Sequence, residues 1–257
     1  MEIKATNQYG SYSTYSFNGR GVRLIKVEGM TPPPANVSTS PIATKDGSIF
    51  TNAQVQNRNI VLTFALIGFS PESNRDNIYY IFKIKEPISL EIKTKNRTAY
   101  IDGYVEDING DPFAKSQRVQ VSIICPEPYF LGAEENKAVT YPSTNIVTLS
   151  DTSHGAVFAI TAGAAVTGGF TIGNTETGGE FKVNTDLASG DIVTLDTRQG
   201  KKSLKLNHNG TITNILQYMD SAKHDWLQLV PYANNYITLS SASLSAVVTY
   251  RTHYEGV

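Results

Sequence analysis

The chain has 257 residues, a formal net charge of −1 at pH 7, 40% hydrophobic residues and a mean hydropathy of −0.22. This length allows two modest domains or one large one, and the balanced charge excludes the strongly basic profile of a dedicated nucleic-acid-binding protein. One cysteine excludes an internal disulfide and argues against a thiolate metal site. No apolar run approaches the roughly 18 residues of a membrane span, and the first residues lack an apolar signal core. We therefore expect a globular protein that is made in a cytoplasm and has no membrane partner.

Short strands separated by turns are predicted at the start of the chain. A strand over residues 12–17 leads into a turn at residues 18–21, and a second short strand covers residues 22–27. Residues 60–67 are almost continuously apolar, which predicts a strand that is buried on both faces. The first part of the chain is therefore expected to be a β-sheet structure.

Between these strands, residues 29–57 are polar and rich in proline, and the segment is too long for an ordinary loop of a compact domain. It could be disordered, or it could be an extended arm or hairpin that becomes ordered against a neighbouring subunit. Thinly spaced apolar side chains favour the arm. The residues that we predict to contact a neighbouring subunit are Val37, Ile42, Asp46, Gly47, Ile49 and Phe50.

One short helix is predicted after the apolar strand. Ser73 can cap a helix, and Asp76 lies three residues later, as in a capping box. Apolar residues then follow with the spacing of one helix face, and Pro87 stops the pattern. These residues are Ile78, Ile81 and Phe82. The helix is expected over about residues 73–85.

A strand followed by a stiff connector is predicted over residues 117–130. Alternate apolar residues place Cys125 on the buried face of the strand, as is usual for a free cysteine. Two prolines then hold the chain extended. The predicted domain junction consists of Cys125, Pro126, Pro128, Tyr129 and Phe130. This places a first domain at residues 1–131 and a second at residues 132–257, with the last residues expected to return to the first domain.

The second domain reads as all β. Short apolar strands recur at a spacing of roughly 8–12 residues, with glycine-containing turns between them, which is typical of a sandwich. Asn209–Gly210 between two such strands predicts a tight hairpin.

No catalytic or metal-binding pattern is present in the sequence, so we expect no enzyme activity and no cofactor. The four histidines are not spaced as metal ligands, and there is no phosphate loop or nucleophile elbow. Asp102, Glu106 and Asp107 could act as an acid/base pair, but such residues more often lie on the solvent-exposed face of a strand. Trp226 could stack on a sugar, although its alternation with leucines favours a core position.

Several motifs, in this order and spacing, resemble those of the distal tail proteins of long-tailed bacteriophages, mostly siphophages of Gram-positive hosts. In the first domain they are Asp46–Gly47, Arg58–Phe64, the helix ending Ile81–Lys83, the strand after Pro87, and Gln120–Phe130. In the second domain they are Gly190–Lys202, the Trp226 strand, Asn235–Leu239 and Val247–Tyr254.

The resemblance implies a virion protein at the tail tip, made in the host bacterial cytoplasm. N-terminal domains of the β-sandwich or barrel-like kind, each with one helix and a hairpin arm, would form a six-fold ring around a channel for DNA. The C-terminal domains would be galectin-like or carbohydrate-module-like sandwiches. Implied partners are further copies of the chain, the tail tube protein, the tail-associated hub or lysin protein, and receptor-binding proteins. The alternative is a module that recognises host cell-wall glycans, with Trp226 as the contact.

Overall fold

The computed structural model describes residues 2–13, 21–43, 45–68, 70–114 and 117–257. The chain divides into two compact units, one of Met1–Gly132 with Tyr254–Val257 and one of Ala133–His253. Strands account for 59% of the structure and helical residues for 6%, so the predicted mainly β class is confirmed. Among the described residues, no helix is long and apolar enough to cross a membrane. Most of the predicted first strand and its turn lie outside the described residues.

Strands dominate the first unit. In chain order they are β1 (Glu2–Asn7), β2 (Gly10–Ser13), β3 (Val22–Glu28), β4 (Ala35–Pro41), β5 (Ser48–Val55), β6 (Arg58–Leu66), β7 (Pro87–Lys93), β8 (Thr98–Gly110), β9 (Arg118–Cys125) and the start of β10 (Phe130–Thr140), with a helix α1 (Pro71–Ile81) between β6 and β7. The long strand β8 joins two antiparallel layers. Its first half pairs with β7, which continues to β1 and β2, and its second half pairs with β9, which continues to β6 and β3.

Alternate side chains of these strands form one apolar core. The buried set includes Ile3, Ile60, Leu62, Phe64, Leu90, Ile92, Ile101, Val121, Ile123 and Phe130, together with Ile78, Ile81 and Phe82 from the end of α1. Only one face of β6 is buried, because Val61, Thr63 and Ala65 on its other face remain partly exposed. The prediction that this strand is buried on both faces was therefore wrong. β6 is the middle strand of an antiparallel layer that packs on one side only.

The helix differs from its predicted bounds of about 73–85. It spans Pro71–Ile81, with Ser70 at the N-cap position and without a side-chain capping bond. Pro71 fits the first turn because its fixed φ is helical and a helix leaves its first N–H groups unpaired. At the other end the Phe82 N–H bonds the Ile78 carbonyl, and Lys85 adopts a positive φ of 68°. The chain therefore leaves the helix before the predicted end.

The second unit is a sandwich of two antiparallel sheets. Its remaining strands are β11 (Ser143–Ile146), β12 (His154–Gly155), β13 (Val157–Ala162), β14 (Phe170–Asn174), β15 (Gly179–Val183), β16 (Ile192–Asp196), β17 (Ser203–His208), β18 (Thr211–Asn214), β19 (Met219–His224), β20 (Gln228–Leu229), β21 (Asn235–Leu239) and β22 (Leu244–Tyr254). One sheet has the order β18–β17–β16–β13–β22–β10, and the other has the order β11–β21–β14–β15–β19. The hairpin predicted at Asn209–Gly210 is confirmed, because both residues have positive φ and link β17 to β18.

Candidate assembly arm and its base

The segment between β3 and β6 is a two-stranded antiparallel hairpin, which we call the arm (residues 35–55). Its strands pair from Ala35↔Val55 at the base to Pro41↔Ser48 near the tip, with a bulge beside Thr39. Within the described residues, β4 and β5 pair only with each other. Every side chain of both strands is exposed. The two strands of the arm therefore bury none of their side chains in this chain.

The register makes the arm amphipathic, because directly opposed residues of an antiparallel pair point to the same face. One face carries the pairs Ala35↔Val55, Val37↔Ala53 and Thr39↔Phe50, and the other carries Asn36↔Gln54, Ser38↔Asn52 and Ser40↔Ile49. On the first face, Val37, Phe50 and Val55 are 55%, 63% and 40% exposed. We call the first face the apolar face of the arm.

The other arm residues predicted from the sequence lie at or near the tip. Ile42 directly follows β4 and is half-buried, whereas Asp46 is exposed. Gly47 has a φ of 104°, which favours glycine, and an added Cβ would meet nothing within 4 Å. Ile49 lies on the polar face of the arm and is 61% exposed. The tip is thus shaped by backbone geometry, and the apolar face lies nearer the base.

The base of the arm is held by a residue that the sequence did not single out as a site residue. Arg58, the first residue of β6, is 2% exposed. Its Nε donates to the Pro128 carbonyl at 2.6 Å, its Nη1 donates to the carbonyls of Gly29 (2.5 Å) and Thr31 (2.6 Å), and its Nη2 donates to the Glu255 carbonyl at 2.6 Å. Burial lowers the pKa of Arg58, against the opposing influence of Cys125 and Glu255.

The predicted domain junction partly surrounds this arginine. The Phe130 ring is fully buried and lies 4.3 Å from the guanidinium carbon, a cation–π contact. Cys125 is fully buried, and burial raises the pKa of its thiol to about 12, so it is an unreactive core residue. Tyr129 is half-buried and its pKa is raised by that burial, whereas Pro126 is exposed. The structure thus brings the carbonyl of Pro128 and the ring of Phe130 to Arg58.

Trp226 in the second unit is half-buried. Its ring packs 5.3 Å from the ring of Phe181, a core residue, and Lys202 Nζ lies 5.2 Å from its ring centre. A shallow concavity of about 460 Å³ lies elsewhere in this unit, lined by Thr171, Lys182, Ser240 and neighbouring residues, and Trp226 is not among them. A sugar contact at Trp226 stays a prediction.

The described chain contains the acidic residues and histidines that the sequence offered as candidates. No group of three or more His, Cys, Asp or Glu side chains in that part of the chain could hold a metal ion. Asp102 and Glu106 are exposed and accept hydrogen bonds from Ser89 and Ser122.

The packing of the second unit brings together two histidines that are far apart in the sequence. The rings of His154 and His253 meet edge to face at 4.6 Å, and burial lowers the pKa of His253 to about 4.

Comparison with known proteins finds a family match in the second unit. Residues 150–254 match the family model described as siphovirus-type tail component, C-terminal domain. These residues, less than half of the chain, are therefore similar to a tail-component domain of long-tailed phages. The resemblance predicted from the sequence is therefore confirmed. No curated protein sequence matches the chain.

Solved structures share the fold over nearly the whole chain. The crystal structure of SPP1 Dit (gp 19.1), described as a paradigm of the hub adsorption apparatus in phages that infect Gram-positive hosts, matches with a TM-score of 0.74 and 15% identity over 97% of this chain and 98% of that one. Two structures of the phage P2 baseplate in its activated conformation also match, one determined with calcium (TM-score 0.52, 13% identity) and one with strontium (TM-score 0.51, 12% identity). Each match covers 100% of this chain and 99% of the baseplate chain. The chain thus has a Dit-like fold, and its residues 150–254 match a siphovirus-type tail component.

Proposed function

We propose that this chain is a phage distal tail protein and acts as a structural ring subunit. Copies of the chain, six by the family resemblance, close around a channel at the virion tail tip, and DNA passes through that channel. The ring joins the tail tube protein on one side to the tail-associated hub or lysin protein on the other, and it carries receptor-binding proteins. The protein is made in the host bacterial cytoplasm and acts by shape, without a catalytic step.

The observation that carries this proposal is the amphipathic arm. An isolated two-stranded hairpin is marginally stable in water, and an exposed apolar face calls for a partner. Val37, Phe50 and Val55 supply such a face, and the first unit does not cover it. Fully burying one side chain of this size stabilises a contact by roughly 1.5–3 kcal/mol. Burial of this face against the next copy would repeat that gain at every interface.

The geometry of an arm favours a ring over a symmetric dimer. An arm that laps onto a different surface of the next copy makes a head-to-tail contact, and head-to-tail contacts close into rings when the rotation between copies permits. The arm provides one side of such a contact, and the body of the neighbouring first unit would provide the other. The family resemblance supplies the number six.

A pair of neighbouring substitutions tests this function. Val37 and Asn36 are adjacent in β4 and point to opposite faces of the arm. Val37→Glu would place a charge in the proposed interface, at a cost of at least about 2 kcal/mol per contact, whereas Asn36→Glu adds the same charge on the polar face. We expect negative-stain images of the protein mixed with its tube protein to show rings for the wild type and Asn36→Glu, and none for Val37→Glu. Rings of equal abundance in both variants would overturn the proposal.

A further inference from the structure

We infer that Arg58 is the positioning residue of the arm: one buried guanidinium fixes the direction in which the arm leaves the first unit. The local effect stands on the contacts of this chain alone, and its consequence for assembly rests on the proposed function. Arg58 binds neither another chain nor a ligand in this role. It acts through the backbone that it holds.

Arg58 is placed to hold both roots of the arm at once. The outgoing root runs through Gly29 and Thr31, whose carbonyls both accept from Nη1. The returning root ends at Val55, and Arg58 begins the next strand three residues later. The roots are also joined by the Gln56 N–H, which donates to the Pro34 carbonyl at 3.0 Å. One side chain therefore closes the loop from which the arm projects.

The chemistry of the site requires arginine. Four of the five N–H groups of a guanidinium are used here, and all four bond to neutral backbone carbonyls in one planar fan. Lysine offers three donors from a single point and cannot reach four carbonyls arranged around a plane. An apolar replacement would leave these part-buried carbonyls without their donor.

A short strap covers the outgoing root. The residues Tyr254–Val257 belong to the first unit, and the Val257 N–H donates to the Met30 carbonyl at 3.1 Å. Arg97 holds this strap from the other side, with its guanidinium 4.4 Å from the Tyr254 ring centre and Nη1 3.4 Å from the Gly256 carbonyl. The Glu255 carbonyl is the fourth acceptor of Arg58. The strap and the arm root are therefore fastened to the same side chain.

The backbone beside Arg58 gives the arm a defined pivot. Gly29 has a φ of 85°, and a Cβ at this position would collide with the Asn59 carbonyl in β6. Glycine thus allows the chain to turn out of β3 in direct contact with the neighbouring strand. The turn at Gly29 and the carbonyl fan of Arg58 together leave the root few conformations.

Hydrogen exchange on the full-length chain tests the inference without requiring assembly. The amides of Gln56 and Val257 report on the root and the strap, and the β7–β8 ladder reports on the first unit as a whole. For each variant we divide the exchange rate of these two amides by that of the ladder and compare this quotient with its wild-type value. In Arg58→Met we expect this ratio to rise at least about ten-fold, because the root and the strap can then open without breaking hydrogen bonds to the arginine. Ile60→Val, a core change two residues along the same strand, is the matched control and should leave that ratio at one.

The outcomes separate the two proposals. A ratio near one in Arg58→Met would overturn the positioning role, since the arginine would then act only on overall stability. If Arg58→Met does not fold, Arg58→Lys answers the same question, with an expected ratio of about three or more and a ratio near one again contradicting the inference. Wild-type protein that never assembles would contradict the ring, yet it would leave the exchange result readable. If the ring forms, both Arg58 variants should reduce its yield more than Ile60→Val does.

Discussion

The arm and the second unit are both built from antiparallel strands, yet they treat apolar side chains in opposite ways. The sandwich of residues 133–253 turns its apolar residues inward, and 24 of them form a core in which most are fully buried. The arm has an apolar face of similar residue types and buries none of them. A strand pattern alone therefore does not tell where burial occurs. The second unit completes its core within the chain, whereas the arm presents surface that another chain can cover.

The largest expected difference between the two regions concerns two phenylalanines. Phe181 is fully buried in the second unit, whereas Phe50 is 63% exposed on the arm. We expect Phe181→Ala to lower the free energy of unfolding by about 3–5 kcal/mol and Phe50→Ala to change it by less than about 0.5 kcal/mol. Denaturant unfolding of the single chains measures both. A loss of several kcal/mol in Phe50→Ala would mean that the arm already packs within its own chain.

A smaller effect is expected from acid, and it falls on the second unit. The folded pKa of His253 is lowered to about 4 by burial, with further contributions from His154 and Arg251. The unfolded value is near 6.5, so the unfolded chain binds this proton first. The stability is therefore intact above about pH 6.5 and falls as the pH drops towards 4, by up to about 3 kcal/mol.

Two histidine variants isolate this contribution. His253→Gln removes the titrating group, so its free energy of unfolding should fall less than that of the wild type between pH 6.5 and 4. His224→Gln is the control, because His224 is exposed on β19. Equal acid sensitivity of the wild type and His253→Gln would contradict the assignment. The arm contains no histidine, so its own pairing should not follow this titration.

The smallest expected effect compares two glycines with positive φ. At Gly169 in the second unit an added Cβ would collide with the Val183 carbonyl, whereas at Gly47 in the arm tip it would meet nothing. Gly47→Ala should therefore cost only the backbone strain, about 1 kcal/mol of local hairpin stability, and Gly169→Ala should cost more. Thermal unfolding measures the loss of stability in Gly169→Ala, and hydrogen exchange of the arm amides measures the loss in Gly47→Ala. A larger loss at Gly47 would show that the tip is already enclosed.

Local patterns predicted the elements better than they predicted the contacts between them. Alternation in β9 and the Asn209–Gly210 turn were readable because both depend on neighbouring residues. The segment 29–57 was expected to form an arm from its composition, but its apolar face depends on the pairing register. The sequence offers Ser73 as a helix cap, whereas the helix begins at Pro71. A capping side chain and a proline in the first turn are both local signals for a helix start, and here they lie close together.

The parts that the sequence did not reveal depend on distant partners. Arg58 binds carbonyls that lie from 27 to 197 residues away, and backbone carbonyls leave no signature in a sequence. His154 and His253 meet through packing of the second unit, although their spacing suggested no pair. Alternation likewise could not show that β6 has only one buried face, because its other face is also rich in apolar residues. Each of these features becomes visible only in the tertiary structure, because it depends on residues that are distant in the sequence.

The central claim is that copies of this chain close around an opening, and native mass spectrometry tests it most directly. The purified protein would be measured alone and together with its tail tube protein. The account predicts a discrete species of about six times the 28.0 kDa of one chain, formed at the latest when the tube protein is present. Single chains under both conditions, or an open series of ever longer assemblies, would contradict it.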